Sequence, residues 1–322
     1  METIIASAPV ITDSTGQEIL TALKNSSHDI VTTKKAGFLA PNANIKNGYI
    51  QPATAEYNGL MTWKQYGQLQ KEIFFETEMT QNAAYRNGAP LRSKYLGDSI
   101  TDEQLEAIAN RTYEGLWLDD YWKINGTFWC IVDFEPYYNC GDTALTQGHI
   151  AVIPKTSLAA AKWNTSENDT SMGYVASDAR IVSIRGKVSG TEDDVTSKGG
   201  VQGKFIAAFG DEHVLTYRAI YPSAYTDGVA TAWAWVDARV ELMNEMEVFG
   251  TGNFGSSGYE IGISHRQFAA FAKYPTQANI RGTYHLRTVW DAKKAGAVGT
   301  YGDAGAFDVT DQRGIRPFAL IG

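Results

Sequence analysis

The sequence predicts an α+β fold, with short strands, a few helices and long irregular connections in one large C-terminal domain. One observation behind this prediction is composition. The 322 residues include 8 Trp, 17 Tyr, 13 Phe and 31 Gly, a mixture that favours a loop-rich fold over a helical bundle. The other is the series of local signals from residue 90 onward, where helix caps and apolar runs of strand length follow one another.

Residues 1–61 predict an extended N-terminal arm. Thr, Ser and Asn are frequent here, turn dipeptides such as Asn47-Gly48 and Asn58-Gly59 recur, and apolar residues are too few for an independent core. Because segments of this kind often become ordered on a neighbouring subunit, we expect the arm to anchor the chain to other proteins.

The next segment, residues 62–89, predicts a short helix and a linker. A capping-box spacing begins at Thr62, and a narrow apolar stripe follows at Tyr66, Leu69 and Ile73. A stripe of this width suits a short oligomeric coil, and it equally suits a helix packed on its own domain.

Residues 90–322 predict one continuous domain. Its first helix should cover residues 102–111, because Thr101 and Gln104 have the spacing of a capping box. Asn125-Gly126 then separates two apolar runs, and this dipeptide is the strongest short signal for a β-hairpin. The remaining predictions are strands over 121–124, 128–132, 149–154 and 233–240, and a helix within 197–209.

Two further segments of this domain have signals of their own. Ser264 and Gln267 repeat the capping-box spacing, so a helix should begin there and end before Pro275. Residues 184–203 mix glycines with charged and polar side chains, which predicts a surface loop or an insertion.

Composition argues against several classes of function. A formal net charge of −8, a pI near 5.2 and the lack of a Lys/Arg cluster argue against a nucleic-acid partner, because phosphate binding needs concentrated cations. The sequence contains neither a long apolar span nor a signal-like basic start, so we expect a protein made in the cytoplasm and not inserted in a membrane. Without a secretory signal, we expect Cys130 and Cys140 to be reduced.

Residues typical of catalysis or metal binding occur in unsuitable patterns. The histidines show no His-x-x-x-His spacing, and no Cys-x-x-Cys exists. The strings Glu135-Pro136-Tyr137 and Trp290-Asp291 lack the oxygen ligands that a sugar-binding calcium loop needs. Asp133 and Glu135 could share a strand face, but nothing else supports glycoside hydrolysis. We therefore expect no metal, no cofactor and no enzymatic activity.

Several short phrases follow one another in an order found in a known protein group. They are LGDSIT from Leu96, DYWKING from Asp120, YYNCGD from Tyr137, GYVAS from Gly173, VELMNE from Val240, YHLR from Tyr284 and GIRP from Gly314. In this order they resemble the C-type-lectin-like domains of virion proteins from phages of Gram-positive hosts. Residues 53–61 resemble a phrase that precedes helices in phage fibre and baseplate proteins.

This resemblance implies a C-type-lectin-like domain, preceded by the extended arm and the short helix, whose N- and C-terminal strands pair. It implies a virion structural protein, a tail-fibre or receptor-binding protein, that adheres to a host-surface protein or glycan without a metal ion. The arm would contact other virion proteins, and a homo-oligomer, with a trimer as our expectation, fits fibre-like appendages. One alternative is a capsid decoration or head-fibre protein that coats or stabilises the head, and another is an enzyme on the same fold.

The resemblance also directs attention to residues of the closing strands. Arg287 and Arg316 stand there beside apolar partners, so we expect them to brace the core through buried hydrogen bonds. Trp122 and Trp129 are the other expected core residues. His285 departs from the group, which commonly has Trp at this position.

Two glycine-rich stretches, 250–259 and 294–308, have the composition of adaptable recognition loops. The ligand-binding residues predicted in them are Asn253, Phe254, Tyr259, Tyr301 and Phe307. The alternative is that the aromatic side chains cap the core while the glycines form turns.

Overall fold

The computed structural model of the chain describes residues 44–46, 49–51, 83–166, 170–252 and 266–322. The chain divides into two compact units, Met1–Met79 and Thr80–Gly322. In the first unit, the described residues form an antiparallel pair of strands, β1 (Asn44–Lys46) and β2 (Tyr49–Gln51). The rest of the predicted arm and the helix predicted after Thr62 lie outside the described residues.

The second unit combines strands with short helices, which confirms the predicted α+β class. Its six-stranded sheet has the order β10 (Val240–Leu242), β15 (Pro317–Ile321), β6 (Ile150–Pro154), β5 (Thr127–Phe134), β4 (Tyr121–Ile124) and β3 (Tyr95–Gly97). A five-stranded sheet has the order β13 (Ala304–Asp308), β12 (Lys294–Val298), β11 (Tyr284–Val289), β14 (Arg313–Ile315) and β7 (Ala159–Ala161). A separate hairpin consists of β8 (Tyr217–Thr226) and β9 (Val229–Ala238).

The helices of this unit are short. The α-helices are α1 (Ala83–Gly88), α2 (Asp102–Ala109), α3 (Gly200–Phe209), α4 (Glu245–Phe249) and α5 (Ala269–Lys273). Single 3₁₀ turns lie at Tyr174–Ala176 and Pro275–Ala278, and a π-helical segment covers Ala179–Ile184. None of the described helices combines the length and the apolar character that a membrane crossing requires.

Elements with strong local signals form where they were predicted. The helix α2 begins with the predicted capping box, in which the Thr101 hydroxyl accepts from the Gln104 amide and the Gln104 side chain accepts from the Thr101 amide. The hairpin β4–β5 turns at Asn125 and Gly126, whose φ angles of 50° and 77° are those of a tight type I′ turn. The helix α3 ends at Phe209, as predicted.

The first and last strands of the second unit do not pair with each other, so the strand pairing expected for a lectin-like domain is wrong for this chain. β15 pairs with β6 and β10, whereas β3 pairs with β4 at the opposite edge of the same sheet. Every residue of β15 is buried. A strand that is apolar on both faces is stabilised in the middle of a sheet and covered on both sides.

One part of the core of the second unit lies where α3 packs on the six-stranded sheet. Trp122 is fully buried and Trp129 is 2% exposed. The ring of Trp129 lies 4.5 Å from that of Phe205 and 5.6 Å from that of Phe209, and Trp122 meets Phe209 edge to face at 5.9 Å. These aromatic pairs add specific packing to the burial of large apolar surfaces.

The prediction of a surface loop over 184–203 is wrong for part of that segment. Arg185 is fully buried, and it binds the carboxylates of Asp193 and Glu241. Arg180 is also fully buried and binds the same two carboxylates at 3.1 Å. These charged side chains can be buried because they pair with each other and with Glu241, which lies far away in the sequence on β10. The sequence of the segment alone does not show this distant partner.

A helix does follow Gln267, but it begins at Ala269, later than the predicted capping box. Its N-terminus is capped from another element, because the Ala269 amide donates to the Asp133 carboxylate at 2.9 Å. Arg266 also binds Asp133 through its guanidinium group. A buried carboxylate on β5 therefore sets the start of α5.

The second unit also begins before residue 90, where the sequence placed the domain boundary. Asn87 on α1 donates to the Asp133 carboxylate at 3.1 Å and to the Phe134 carbonyl at 2.9 Å, and it accepts from the Phe134 amide at 2.9 Å. These bonds join α1 to the end of β5. Residues 83–89 thus belong to this unit.

Candidate functional site

Three aromatic side chains form a partly exposed row at the β3 edge of the six-stranded sheet. Tyr95 is 46% exposed, Phe128 is 39% exposed, and Tyr121 lies between them, half-buried. Tyr95 is opposite Tyr121 in the register of β3 and β4, and Phe128 is opposite Lys123 in the register of β4 and β5. Since opposite residues and alternate residues of a strand share a face, all of these side chains lie on one face of the sheet.

The three rings, which we call the aromatic strip, are in mutual contact. The ring centroids of Tyr95 and Tyr121 are 5.7 Å apart, and those of Tyr121 and Phe128 are 5.6 Å apart. The strip therefore crosses three neighbouring strands at close to the spacing of the strands themselves. Its position on paired strands makes it a rigid surface.

Charged groups border the aromatic strip on several sides. The Lys123 ammonium lies 5.6 Å from the Phe128 ring centroid, and the Lys155 ammonium lies 5.8 Å from that of Tyr121. The Tyr95 hydroxyl donates to the exposed carboxylate of Asp98 at 2.6 Å, and this bond raises the pKa of Tyr95. Aromatic faces, ammonium donors and a carboxylate acceptor thus meet on one surface.

The opposite face of the same strands faces the core. Trp122 and Trp129 alternate with Tyr121 and Phe128 along β4 and β5, so each strand gives one aromatic residue to the core and one to the surface. The buried tryptophans hold β4 and β5 in position, and these strands in turn hold the rings of the aromatic strip in position. This surface combines exposed aromatic rings with charged groups, and we take it as the candidate binding site.

Two of the predicted ligand-binding residues, Tyr301 and Phe307, lie in the described part of the chain, and neither belongs to the aromatic strip. Asn253, Phe254 and Tyr259 are outside the described residues. Tyr301 is 87% exposed in the turn between β12 and β13. Phe307, on β13, is half-buried under the Arg313 guanidinium, whose central carbon is 3.4 Å from the ring centroid.

Arg287 is buried and bound to a buried carboxylate. Its guanidinium donates to both carboxylate oxygens of Glu247, at 2.6 and 3.0 Å, and to the Leu242 carbonyl at 2.8 Å. The Tyr137 hydroxyl donates to the same carboxylate, so β11, α4 and the segment after β5 meet at Glu247. Arg287 therefore braces the core.

Arg316 is also buried, and it lies in the chain between β14 of the five-stranded sheet and β15 of the six-stranded sheet. It is 3% exposed, and it donates to the Pro154 carbonyl at 3.0 Å and to the Tyr284 hydroxyl at 3.2 Å. Its guanidinium also lies over the rings of Tyr284 and Phe271. Arg316 is therefore too deeply buried to hold a ligand at the surface.

The carboxylates singled out in the sequence bind different arginines. Asp133 binds Arg266, and Glu135 binds Arg111. Within the described ranges, no group of three or more His, Cys, Asp or Glu side chains is placed to hold a metal ion. Cys130 and Cys140 are free thiols, and burial raises the pKa of Cys130 to about 12.

Two histidines, His149 and His285, are fully buried. A ring nitrogen of His149 lies 2.9 Å from the Gln147 carbonyl, and the other accepts from the Tyr137 amide. His285 lies 3.1 Å from the Ala161 carbonyl. Burial lowers the pKa of both imidazoles to about 4 from the usual 6.5, so both rings are neutral at pH 7.

The two buried histidines predict a loss of stability in mild acid. Between pH 6.5 and 4 the unfolded chain takes up two protons that the folded protein does not, so the free energy of unfolding falls as the pH falls. The expected slope is about 1.4 kcal/mol per pH unit for each histidine. Urea unfolding of the wild type and of His285→Gln at several pH values measures it. The slope of the variant should be smaller by about 1.4 kcal/mol per pH unit, and an unchanged slope in the variant would contradict the prediction.

Comparisons of the chain with protein-family models, with curated proteins and with solved structures find no match in any of the three.

Sequence reasoning did not identify the aromatic strip. A usable signal was present in the predicted hairpin, where aromatic residues stand on both faces at Tyr121-Trp122 and Phe128-Trp129. One aromatic residue of each pair has to face away from the core when the strand is covered on one side. Tyr95 had no such signal, because its strand, β3, pairs in parallel with β4 and a long connection separates the two strands in the sequence.

Proposed function

We propose that the protein is a phage virion structural protein whose second unit, Thr80–Gly322, binds the host cell surface. The aromatic strip carries the proposal, because exposed tyrosine and phenylalanine rings on a rigid sheet are typical of recognition surfaces. The assignment to a virion is supported by the order of the phrases in residues 95–322 that resemble phage proteins. Those phrases all fall within this single compact unit.

We also propose that this unit is a variant of the C-type-lectin-like fold. The support is again the order of the phrases, together with the mixed α+β architecture. The pairing of β15 with β6 and β10 distinguishes it from the arrangement expected for that group. In the proposed assembly, the N-terminal arm contacts other virion proteins and the chain forms a homo-oligomer.

Gold-labelled antibody against residues 80–322, applied to purified phage particles, tests the virion part of the proposal. We expect label at the tail, where a receptor-binding protein is located. Label spread over the head would instead favour a capsid decoration protein. Particles that carry no label, although the antibody detects the purified protein, would refute a virion location.

Adhesion is tested with the full-length protein and the bacteria that the phage infects. Fluorescently labelled protein should bind the cells saturably, and the unlabelled protein should slow phage adsorption at the same concentrations. Heat-unfolded protein is the control for non-specific attachment. A folded protein that neither binds the cells nor competes with the phage would overturn the adhesion proposal.

A further inference from the structure

We propose that the aromatic strip binds an elongated glycan that carries acidic substituents, such as carboxylate or phosphate groups. This inference rests on the proposed host-surface binding and names the ligand class. Three rings in contact, separated by 5.7 and 5.6 Å, cross three strands in a row. A row of this kind matches an extended chain better than a compact ligand.

The chemistry of the rings favours sugars. Pyranose rings present C–H groups on their faces and hydroxyl groups at their rims, and the negative face of an aromatic ring attracts such C–H groups. Around the rings, the strip offers partners for the hydroxyl groups. The Asp98 carboxylate is exposed and accepts from Tyr95 through one oxygen, so its other oxygen can accept from a sugar hydroxyl.

The lysines favour acidic substituents on the sugar. Lys123 and Lys155 lie beside the rings of Phe128 and Tyr121, and neither ammonium takes part in an ion pair with the described residues. A lysine on a flexible stem binds a carboxylate or a phosphate as a point charge. These two cations stand out on a chain whose formal net charge is −8.

Single-stranded nucleic acid also binds surfaces that combine aromatic rings with cations. It carries a phosphate at every nucleotide, however, and needs a continuous cationic path. Two lysines next to the Asp98 carboxylate do not provide such a path. An acidic glycan, which can be less densely charged, is therefore the favoured ligand, and an oligonucleotide serves as a competitor in the test.

The ligand is tested with wall polysaccharides of the host bacterium, divided by anion exchange into an acidic and a neutral fraction. Full-length protein is immobilised, and binding of each fraction is measured by biolayer interferometry at low and at high salt. We expect binding of the acidic fraction, weakened by salt because the charges involved are exposed to solvent. Equal binding of the neutral fraction would overturn the charge part of the inference. Displacement of the acidic fraction by a single-stranded oligonucleotide would overturn the ligand class.

Two double variants locate the binding surface. Y95A/F128A should weaken binding of the acidic fraction by about tenfold or more, because two stacking partners are lost. K123Q/K155Q should keep weak binding but lose the preference for the acidic fraction. Trp233→Ala is the matched control, since Trp233 is 38% exposed, similar to Phe128, and lies on β9 in a different sheet. Urea midpoints close to that of the wild type establish that each variant is folded.

The outcomes separate this inference from the proposed function. If both strip variants bind the acidic fraction as the wild type does, the inference fails even when the protein still adheres to cells. A variant at Tyr301 that abolishes cell binding would then point to the predicted β12–β13 loop instead. If the strip binds the acidic fraction but intact cells do not bind the protein, the ligand class stands and the proposed host-surface function fails.

Discussion

Replacing Glu241 with alanine should lower the free energy of unfolding by about 3–5 kcal/mol. The side chains of Arg180, Arg185 and Glu241 have no solvent exposure at all. Glu241 is shared by both guanidinium groups, and the remaining carboxylate partner, Asp193, is 20% exposed. The Glu241→Ala substitution leaves the two buried guanidinium groups with only the Asp193 carboxylate between them. Burial of a cation without its partner carries a large desolvation penalty, and no new contact offsets it.

The contribution of Glu241 should also depend on pH. Burial opposes ionisation of this carboxyl, but Arg180 and Arg185 outweigh that effect and lower its pKa to about 2 from 4.5. Because the folded pKa is below the unfolded one, this stabilisation is present above about pH 4.5 and is lost as the pH falls towards 2.

Urea unfolding at pH 7 measures the effect of Glu241→Ala, with Glu192→Ala as the control. Glu192 is exposed, so its replacement should change the free energy of unfolding by less than about 0.5 kcal/mol. A variant that replaces Glu241, Arg180 and Arg185 by Leu, Met and Met tests the cause, since it removes all three charges and should recover most of the loss. Equal stability of Glu241→Ala and the wild type would contradict the argument.

Trp129→Ala should destabilise the protein by about 3–5 kcal/mol, the range for removal of a large buried aromatic side chain. Trp129 is 2% exposed and its ring contacts Phe205 and Phe209 on α3. The smaller side chain leaves a cavity between α3 and the sheet, in addition to the lost burial of apolar surface.

The neighbouring Phe128 gives a matched comparison, because it is the same kind of side chain one residue away on the opposite face of β5. Phe128→Ala should cost less than about 1 kcal/mol, since it loses only exposed cross-strand contacts. Thermal and urea unfolding measure both variants. If Trp129→Ala and Phe128→Ala reduced the free energy of unfolding by similar amounts, Phe128 would contribute to the stability of the fold. The two faces of β5 would then not have separate roles.

Local signals predicted the elements whose boundaries are set by nearby residues. The helix α2 is capped within one turn by Thr101 and Gln104, and the hairpin β4–β5 is set by Asn125-Gly126. The predicted helix α3 likewise ends at Phe209, before Gly210. In each case, the deciding residues lie within a few positions of the element.

Features set by distant partners were not predictable in this way. Arg180 and Arg185 are buried beside the charged segment 186–198 because Glu241, on β10, neutralises them. The start of α5 depends on Asp133, more than one hundred residues earlier. The aromatic strip needs Tyr95 to lie beside Tyr121, and that register depends on the parallel pairing of β3 with β4. Propensity and spacing contain no information on such long-range partners.

The position of β15 between β10 and β6 has a consequence for synthesis on the ribosome. Its partners β6 and β10 are translated well before it, and they are joined in the sheet only through Pro317–Ile321. A nascent chain that has not reached residue 317 therefore leaves β6 and β10 without the strand that they share, and unpaired strand edges are hazards for aggregation. The six-stranded sheet is complete only after β15 has left the exit tunnel, so we expect this sheet to be among the last parts of the unit to form.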